Sequence, residues 1–357
     1  KSVVGDSVIF EETHVQWNLR FRYRWSTSDR FGFIREATLT NEGTQPVHAE
    51  VIDGLLGLLP YGLDPAFYQR LSNLTNAYKR SEVLDEAWRL SIYSLESGIV
   101  DRPEPAEVLR GTAAWSVGMD GAELTLSADA LTDFVRGSKS PAEHLTTGRP
   151  GAYLLRGSID LDPGENARWH IVADVAQDQV DVTAFLKLLK SGTDVGAELA
   201  AEIAQSSERL VSIMAPADAM QRTGDRVATA HQFANVTYNV MRGGVPLDGY
   251  RISTADFQQF LSTRTRSVVE RHGQWLRSLP EVIDRAELLE MIADTHDPQL
   301  VRLGYEYLPF SFARRHGDPS RPWNAFSIRI RDAKGEPIRY YEGNWRDIFQ
   351  NWEALCM

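Results

Sequence analysis

A change of hydrophobic period near Val175 constrains this chain more than any other feature. Before it, apolar residues recur at every second position; after it, at every third or fourth. The clearest run is 14–25, where Val15, Trp17, Leu19, Phe21, Tyr23 and Trp25 alternate with Gln16, Asn18, Arg20, Arg22 and Arg24. A period of two puts one set on each face of a strand. Segments 3–10, 31–40, 47–59, 90–95, 113–117, 123–126, 152–161 and 167–175 read as further strands. Turn clusters at 41–43, 118–121 and 162–165 separate them. Strands so spaced, without long helices between them, predict an antiparallel β-sandwich over 1–175. Residues 64–79 are expected as one short inserted helix or loop.

Beyond Val175 the pattern is helical. Val182, Phe185, Leu186, Leu189, Leu199, Ile203, Leu210 and Ile213 fall at helical steps, and Gly192 and Gly196 are expected to break the run in two. Residues 176–254 are read as a helical linker. Further helices are expected at 226–241, 256–276, 284–292 and 298–315, with Thr254 or Asp256 as one cap and Pro298 at a first helical position. Segments 325–331 and 337–341 look like a β-hairpin, and a last helix starts near Asp347. No internal repeat is expected. Phe257, Phe260, Leu261, Trp275, Leu276, Phe310 and Phe312 are expected to form exposed apolar stripes that missing helices would cover.

Charge excludes one class of partner. Lys and Arg number 38 against 49 Asp and Glu, so the net charge is −11 and nucleic acid is not an expected partner. The single cysteine, Cys356, permits no intrachain disulfide, which fits a cytoplasmic location. No apolar run approaches the ~20 residues of a membrane helix, so no membrane partner is expected. The chain begins at Lys1 and runs out inside an aromatic-rich helical pattern, from which it is expected to be a piece of a longer protein.

The segment Gly343-Asn344-Trp345-Arg346-Asp347-Ile348-Phe349-Gln350 is similar to the Phe-Arg-Asp-x-x-Gln motif of cellobiose and chitobiose phosphorylases. In layout, too, the chain resembles that glycoside hydrolase clan, and more narrowly a bacterial branch of it, with Asp53 to Pro60 as a second signature. Trp345 stands where the phosphorylases have Phe. The resemblance implies an α+β multidomain chain: an antiparallel β-supersandwich, a helical linker, and, over 255–357, the first elements of an (α/α)6 barrel. It also implies that Arg346 and Asp347, with Gln350 and Trp345, hold a sugar beside the cleaved bond.

The chemistry of those residues suits a pyranose. Arg346 offers a rigid fork of donors and Asp347 acceptors, so the pair can bracket neighbouring hydroxyls; Trp345 and Trp352 offer flat apolar faces. The same Arg-Asp pair would also suit a helix N-terminus with no ligand at all. Arg315, His316, Asp318 and Trp323 lie in a polar loop that could rim the same cleft, although Gly317-Asp318-Pro319-Ser320 is also turn chemistry. The glycines at 243–244 follow a helix and read as its C-cap rather than as a phosphate loop.

No metal is expected, because the eight histidines never take an i, i+4 spacing and one cysteine cannot build a zinc site. Asp294, His296 and Asp297 are ligand types but also mark a helix stop and start. No Gly-x-Ser-x-Gly elbow is present. Glycoside cleavage needs a carboxylic acid to protonate the leaving oxygen. The family carries that acid in a Trp-Asn-Asp segment, which this chain lacks: Trp323-Asn324 is followed by Ala325. The catalytic residues are therefore left unassigned.

The expected function is the N-terminal part of a glycoside phosphorylase or inverting hydrolase, inactive alone, with no cofactor beyond inorganic phosphate as co-substrate. An oligosaccharide, the rest of the protein or a complementary chain, and a second copy are the expected partners. The alternative is a non-catalytic carbohydrate-binding or assembly module.

Overall fold

A computed structural model describes residues 2–309 apart from 64, 101–106, 140, 218 and 244–246, and beyond them residues 314–316, 327–328 and 332. The chain divides into two units, Lys1–Glu208 and Arg209–Met357.

In the first unit the strands are β1 (Val8–His14), β2 (Leu19–Ser28), β3 (Gly32–Asn41), β4 (Val47–Leu58), β5 (Lys79–Asp85), β6 (Leu90–Leu95), β7 (Gly111–Val117), β8 (Glu123–Thr125), β9 (Leu145–Thr147), β10 (Gly151–Leu161) and β11 (Asn166–Gln177). Eight form one antiparallel sheet in the order β1-β2-β3-β11-β7-β6-β5-β9; β4-β10-β8 form a second. The helices are α1 (Pro65–Arg70) and α2 (Ser72–Ala77), which fill the expected insertion, α3 (Asp129–Val135), α4 (Gln179–Leu189) and α5 (Val195–Met214), with the unit boundary inside α5.

The sandwich is as the alternation predicts, with a third layer added. Between the sheets, Ala37, Leu39, Leu55, Tyr93, Tyr153, Leu155, Trp169 and Ile171 form the main core, with Phe21, Tyr23 and Trp25 half-buried against it. On the back of the large sheet, Ile34, Leu90, Trp115 and Val172 meet Leu189, Val195, Leu199 and Ile203 of α4 and α5. Strands covered on both faces read as continuous apolar runs rather than alternations. That is why β7, Gly-Thr-Ala-Ala-Trp-Ser-Val, is buried almost throughout. Gly192, at φ +78°, lies between α4 and α5, whereas Gly196 is inside α5 and breaks nothing.

Some strand expectations need correction: the strand expected over 3–10 is Val8–His14, and β5 and β9 were not expected. Residues 14–25 are not a single strand: a tight turn at 15–18, with Asn18 at φ +49°, ends β1 and starts β2. Trp17 therefore stands at a hairpin tip, 63% exposed and stacked on His14 at 4.2 Å, outside the core. The alternation continued through the turn by coincidence of composition.

The segment Asp53 to Pro60 has a structural account. Residues Ala49, Val51, Asp53 and Leu55 of β4 face inward, and then the register shifts, with Leu58 opposite Gly151 and Leu56 opposite Ala152. Gly57 is the extra residue, at φ +70°, and the bulge returns Leu58 to the core side. At Gly54 an added Cβ would lie 1.9 Å from the Tyr153 carbonyl oxygen of β10. Asp53 crosses the gap between sheets: its carboxylate accepts from Arg35 of β3 at 2.5 Å and from the Trp169 indole of β11 at 2.7 Å.

The second unit contains α6 (Arg226–Gly243), β12 (Arg251–Ser253), α7 (Thr254–Arg264), α8 (Arg266–Ser278), β13 (Val282–Asp284), α9 (Arg285–Asp294), α10 (Pro298–Glu306), β14 (Arg314–His316) and β15 (Ser327–Ile328). Within 251–306 the order strand-helix-helix occurs twice, as β12-α7-α8 and β13-α9-α10. The two strands pair antiparallel about Ile252 and Ile283, with Arg251 opposite Asp284 and Ser253 opposite Val282. The helix expected over 256–276 is two helices joined at Thr265. Ile252, Phe257, Phe260, Leu261, Leu276, Ile283, Leu288, Ile292, Leu300, Leu303 and Tyr307 make a core of their own.

The exposed stripes expected after Ala255 are consequently absent at four positions: Phe257, Phe260 and Leu261 are 0% and Leu276 4% exposed. Trp275 is half-buried against the same core, and Phe310 and Phe312 lie outside the described residues. Asp297 caps α10, accepting from the Gln299 and Leu300 amides, and also takes Arg271 at 2.7 Å and His272 at 2.9 Å. These bonds hold its carboxyl well below the usual range, Arg271 first and His272 second. The 294–297 segment is therefore helix punctuation, and among the described residues no cluster of His, Cys, Asp and Glu could hold a metal.

The helix expected over 298–315 ends at Glu306, and Arg314–His316 pairs as a strand with Ser327–Ile328. The other hairpin arm expected, 337–341, lies outside the described residues. Among the described residues no helix is long and apolar enough to cross a membrane.

Candidate functional site

The large sheet's back face is apolar only where α4 and α5 cover it. At the other end of the same face the register builds a polar grid across three strands. Arg20, Thr40 and Asn166 form one rung, Arg22, Thr38 and Arg168 the next, and Arg24, Glu36 and His170 the third. A period of two sends all nine side chains to one side. They surround, with Gly164, a cavity of about 450 Å³ lined by Arg20, Arg22, Arg24, Glu36, Thr38, Thr40, Asn166 and Arg168. His170 lies against its acidic corner, 8% exposed.

Four guanidinium groups meet on one face of a chain whose net charge is −11. Two are partly neutralised: Arg24 donates to Glu36 at 3.3 Å, and Arg20 pairs with Glu42 at 3.2 Å. Glu36 is held down to about 2, first by the hydrogen bond with His170 and then, against the opposing cost of burial, by Arg24, so it is ionised at neutral pH. Arg22 and Arg168 have no acid within ion-pair distance among the described residues. Arg24 Nε is buried with no hydrogen-bond partner. Forks of fixed donors that lack acceptors are suited to a bidentate oxyanion, and the neighbouring Thr, Asn and Glu groups to hydroxyls.

A second cavity, about 310 Å³, is lined by Asp29, Arg30, Asp174, Gln177, Asp181 and Phe185 among others. Burial pushes the Asp174 carboxyl up. Yet Asp174 accepts from the Val175 amide at 2.8 Å and the Gln177 side chain at 2.9 Å, around Ala176 at φ +63°. It fastens the irregular end of β11. The buried phenols of Tyr93 and Tyr153, raised by burial, donate to the carbonyls of Ala152 and Arg89 and serve the core.

Of the sugar-site residues expected from sequence, Arg315 and His316 are in β14, paired with β15. Trp345, Arg346, Asp347, Gln350, Asp318 and Trp323 lie outside the described residues. The arginine grid was not expected as a site. Its signal was Arg20, Arg22 and Arg24 at alternate positions, which the periodicity had used only to define a strand face; Arg168 joins them solely through β-pairing.

Residues 248–309 match the model of glycoside hydrolase family 149 insertion domain 1. They cover the two successive strand-helix-helix segments, which share one core, so a compact folded body coincides with the match. No curated protein sequence matches the chain. Among solved structures, a protein assigned as an aldose 1-epimerase from Klebsiella pneumoniae aligns at 12% identity and a TM-score of 0.28, over 52% of this chain and 54% of that one. A second so assigned, from Escherichia coli K12, gives 11% identity and a TM-score of 0.24 over 47% and 64%. A protein assigned as a kojibiose phosphorylase, from the human microbiome, gives 8% and 0.26 over 71% of this chain and 25% of that one. The chain thus spans about half of the first and a quarter of the last. Similarities this low carry no argument about activity.

Proposed function

We propose that the chain is the N-terminal part of a carbohydrate-active enzyme, a glycoside phosphorylase or inverting glycoside hydrolase acting on glucosidic or related linkages. The observation that carries this reading is the glycoside hydrolase insertion-domain match at 248–309, in a chain that also contains a sandwich. In this reading 255–357 are the start of a helical barrel domain, and the insertion-domain match at 248–309 overlaps its first part. Arg346 and Asp347, with Gln350 and Trp345, hold a sugar next to the cleaved bond, and Arg315, His316, Asp318 and Trp323 rim the cleft. Inorganic phosphate is the co-substrate of a phosphorylase, and the general acid is supplied by residues beyond this chain.

The test is kinetic. In the complete protein, Arg346→Ala is expected to lower kcat/KM by about ten- to a hundredfold, the loss of one or two charge-assisted hydrogen bonds, with Tm nearly unchanged. Formation of a sugar phosphate only when phosphate is added marks a phosphorylase, and release of free sugar without it marks a hydrolase. The 357-residue chain is expected to turn over no disaccharide under either condition. Turnover by this chain would overturn the placement of the acid and direct attention to Asp318 and Glu342. A complete protein inert on glucosides with and without phosphate would overturn the reading itself.

A further inference from the structure

We propose that the arginine grid on the back of the large sheet is a binding site for a phosphorylated sugar. The inference rests on the geometry of β2, β3 and β11 and not on the proposed activity. In the middle rung, Arg22 and Arg168 flank Thr38 from the two adjacent strands. Two interstrand spacings separate their Cα atoms by about 10 Å, a span that two arginine side chains close from opposite sides of one phosphate. Both are exposed and neither has a carboxylate within ion-pair distance among the described residues, although Arg168 acts on Glu36 from further off and Glu11 stands opposite Arg22, so no close ion pair has to break. Arg24 Nε adds a buried donor that lacks an acceptor at the edge of the same cavity.

The rest of the lining defines what the phosphate is attached to. Glu36, Thr38, Thr40 and Asn166 offer acceptors and donors in alternation, as vicinal hydroxyls require. No aromatic side chain lines the cavity, so a nucleobase would find nothing to stack on. An apolar tail would likewise meet only polar groups. The cavity, about 450 Å³, admits a monosaccharide phosphate in one piece. His170 and Arg24 hold Glu36 ionised and oriented, which keeps one hydroxyl acceptor fixed beside the anion site. Of the other acids of the region, Glu42 is engaged with Arg20, and Glu11 of the edge strand β1 stands opposite Arg22 in register without closing an ion pair.

Isothermal titration of the 357-residue protein with glucose 1-phosphate, glucose 6-phosphate, glucose, inorganic phosphate and a short poly-glutamate peptide tests the proposal. At least one sugar phosphate is expected to bind more tightly than glucose or phosphate alone, and more weakly as salt is raised. Arg22→Ala and Arg168→Ala should each weaken it about tenfold or more, and the lysine variants, which keep charge but lose the fork, by less. Arg136→Ala, an exposed arginine elsewhere on the first unit, and Arg346→Ala should leave it unchanged, which separates this site from the proposed active site. Absence of binding, equal binding by the Arg22 and Arg168 variants, or equal affinity for free phosphate would overturn the proposal. Tighter binding of poly-glutamate would overturn it too, and would assign the face to an acidic protein segment.

Discussion

Removing the Asp53 carboxylate should destabilise the first unit more than any surface substitution. Asp53 is 9% exposed, and its two partners, Arg35 at 6% and Trp169 at 0%, come from two strands of the facing sheet. In Asp53→Ala the Arg35 guanidinium would stay between the sheets with no counter-charge, its centre 4.3 Å from the Tyr23 ring. Breaking such a pair costs about 3–5 kcal/mol, and the orphaned Trp169 N–H about 1 kcal/mol more. At about 2–4 °C per kcal/mol for a unit of this size, the first unit should melt roughly 8–24 °C lower. Asp53→Asn keeps an acceptor for Trp169 and should cost less. Arg35→Met combined with Asp53→Leu removes both charges and should recover most of the loss, because two paired charges also carry a desolvation cost. Near-UV circular dichroism of the buried tryptophans follows this unit during thermal and urea melts. A loss below about 1 kcal/mol in Asp53→Ala would mean that water reaches Arg35 and that the pair does not tie the sheets together.

Other expectations follow from particular contacts. Trp17→Ala, at the exposed hairpin tip, should change stability by no more than about 0.5 kcal/mol, whereas Trp169→Ala in the core should cost about 3–5 kcal/mol; parallel urea melts compare them. Because the Glu36 pKa is depressed in the folded state to about 2, its stabilisation is present above the ordinary carboxylate value, 4.5, and is lost as pH falls from there toward 2. Glu36→Gln should accordingly flatten the acid side of the stability profile of the first unit. Asp297→Ala removes the α10 cap together with the Arg271 and His272 contacts, and should lower the stability of the second unit by about 1–2 kcal/mol, read from helical circular dichroism.

Features that depend on local period were legible in the residues alone. Alternation located nine of the eleven sandwich strands to within about five residues, because burial on one face writes itself into every second position. The change of period located α4 and α5, and Asp297-Pro298 announced the start of α10. Where periodicity and chain reversal disagree, the period misleads. The turn at 15–18 kept the alternation of its flanking strands, so Trp17 read as sharing a strand face with Phe21 and Tyr23. β5, Lys-Arg-Ser-Glu-Val-Leu-Asp, is polar through most of its seven residues, and β9, β12 and β13, of three residues each, are too short to show a period; the recurring strand-helix-helix order became visible only once Ile252 and Ile283 were seen opposite each other.

Tertiary structure alone decided which residues meet across long stretches of chain. Asp53 reads in sequence as part of a glycine-leucine run; pairing of two sheets turns it into the counter-ion of Arg35, 18 residues away, and the acceptor of Trp169, 116 residues away. The same holds for the arginine grid. Arg20, Arg22 and Arg24 are adjacent on one strand by covalent geometry, but Arg168 reaches them only because β11 pairs with β3, and the face stays open because α4 and α5 cover the other end of the sheet. Apolar burial is periodic and therefore local in its signature, while a binding surface is assembled by register between strands distant in sequence, and no single strand contains that information.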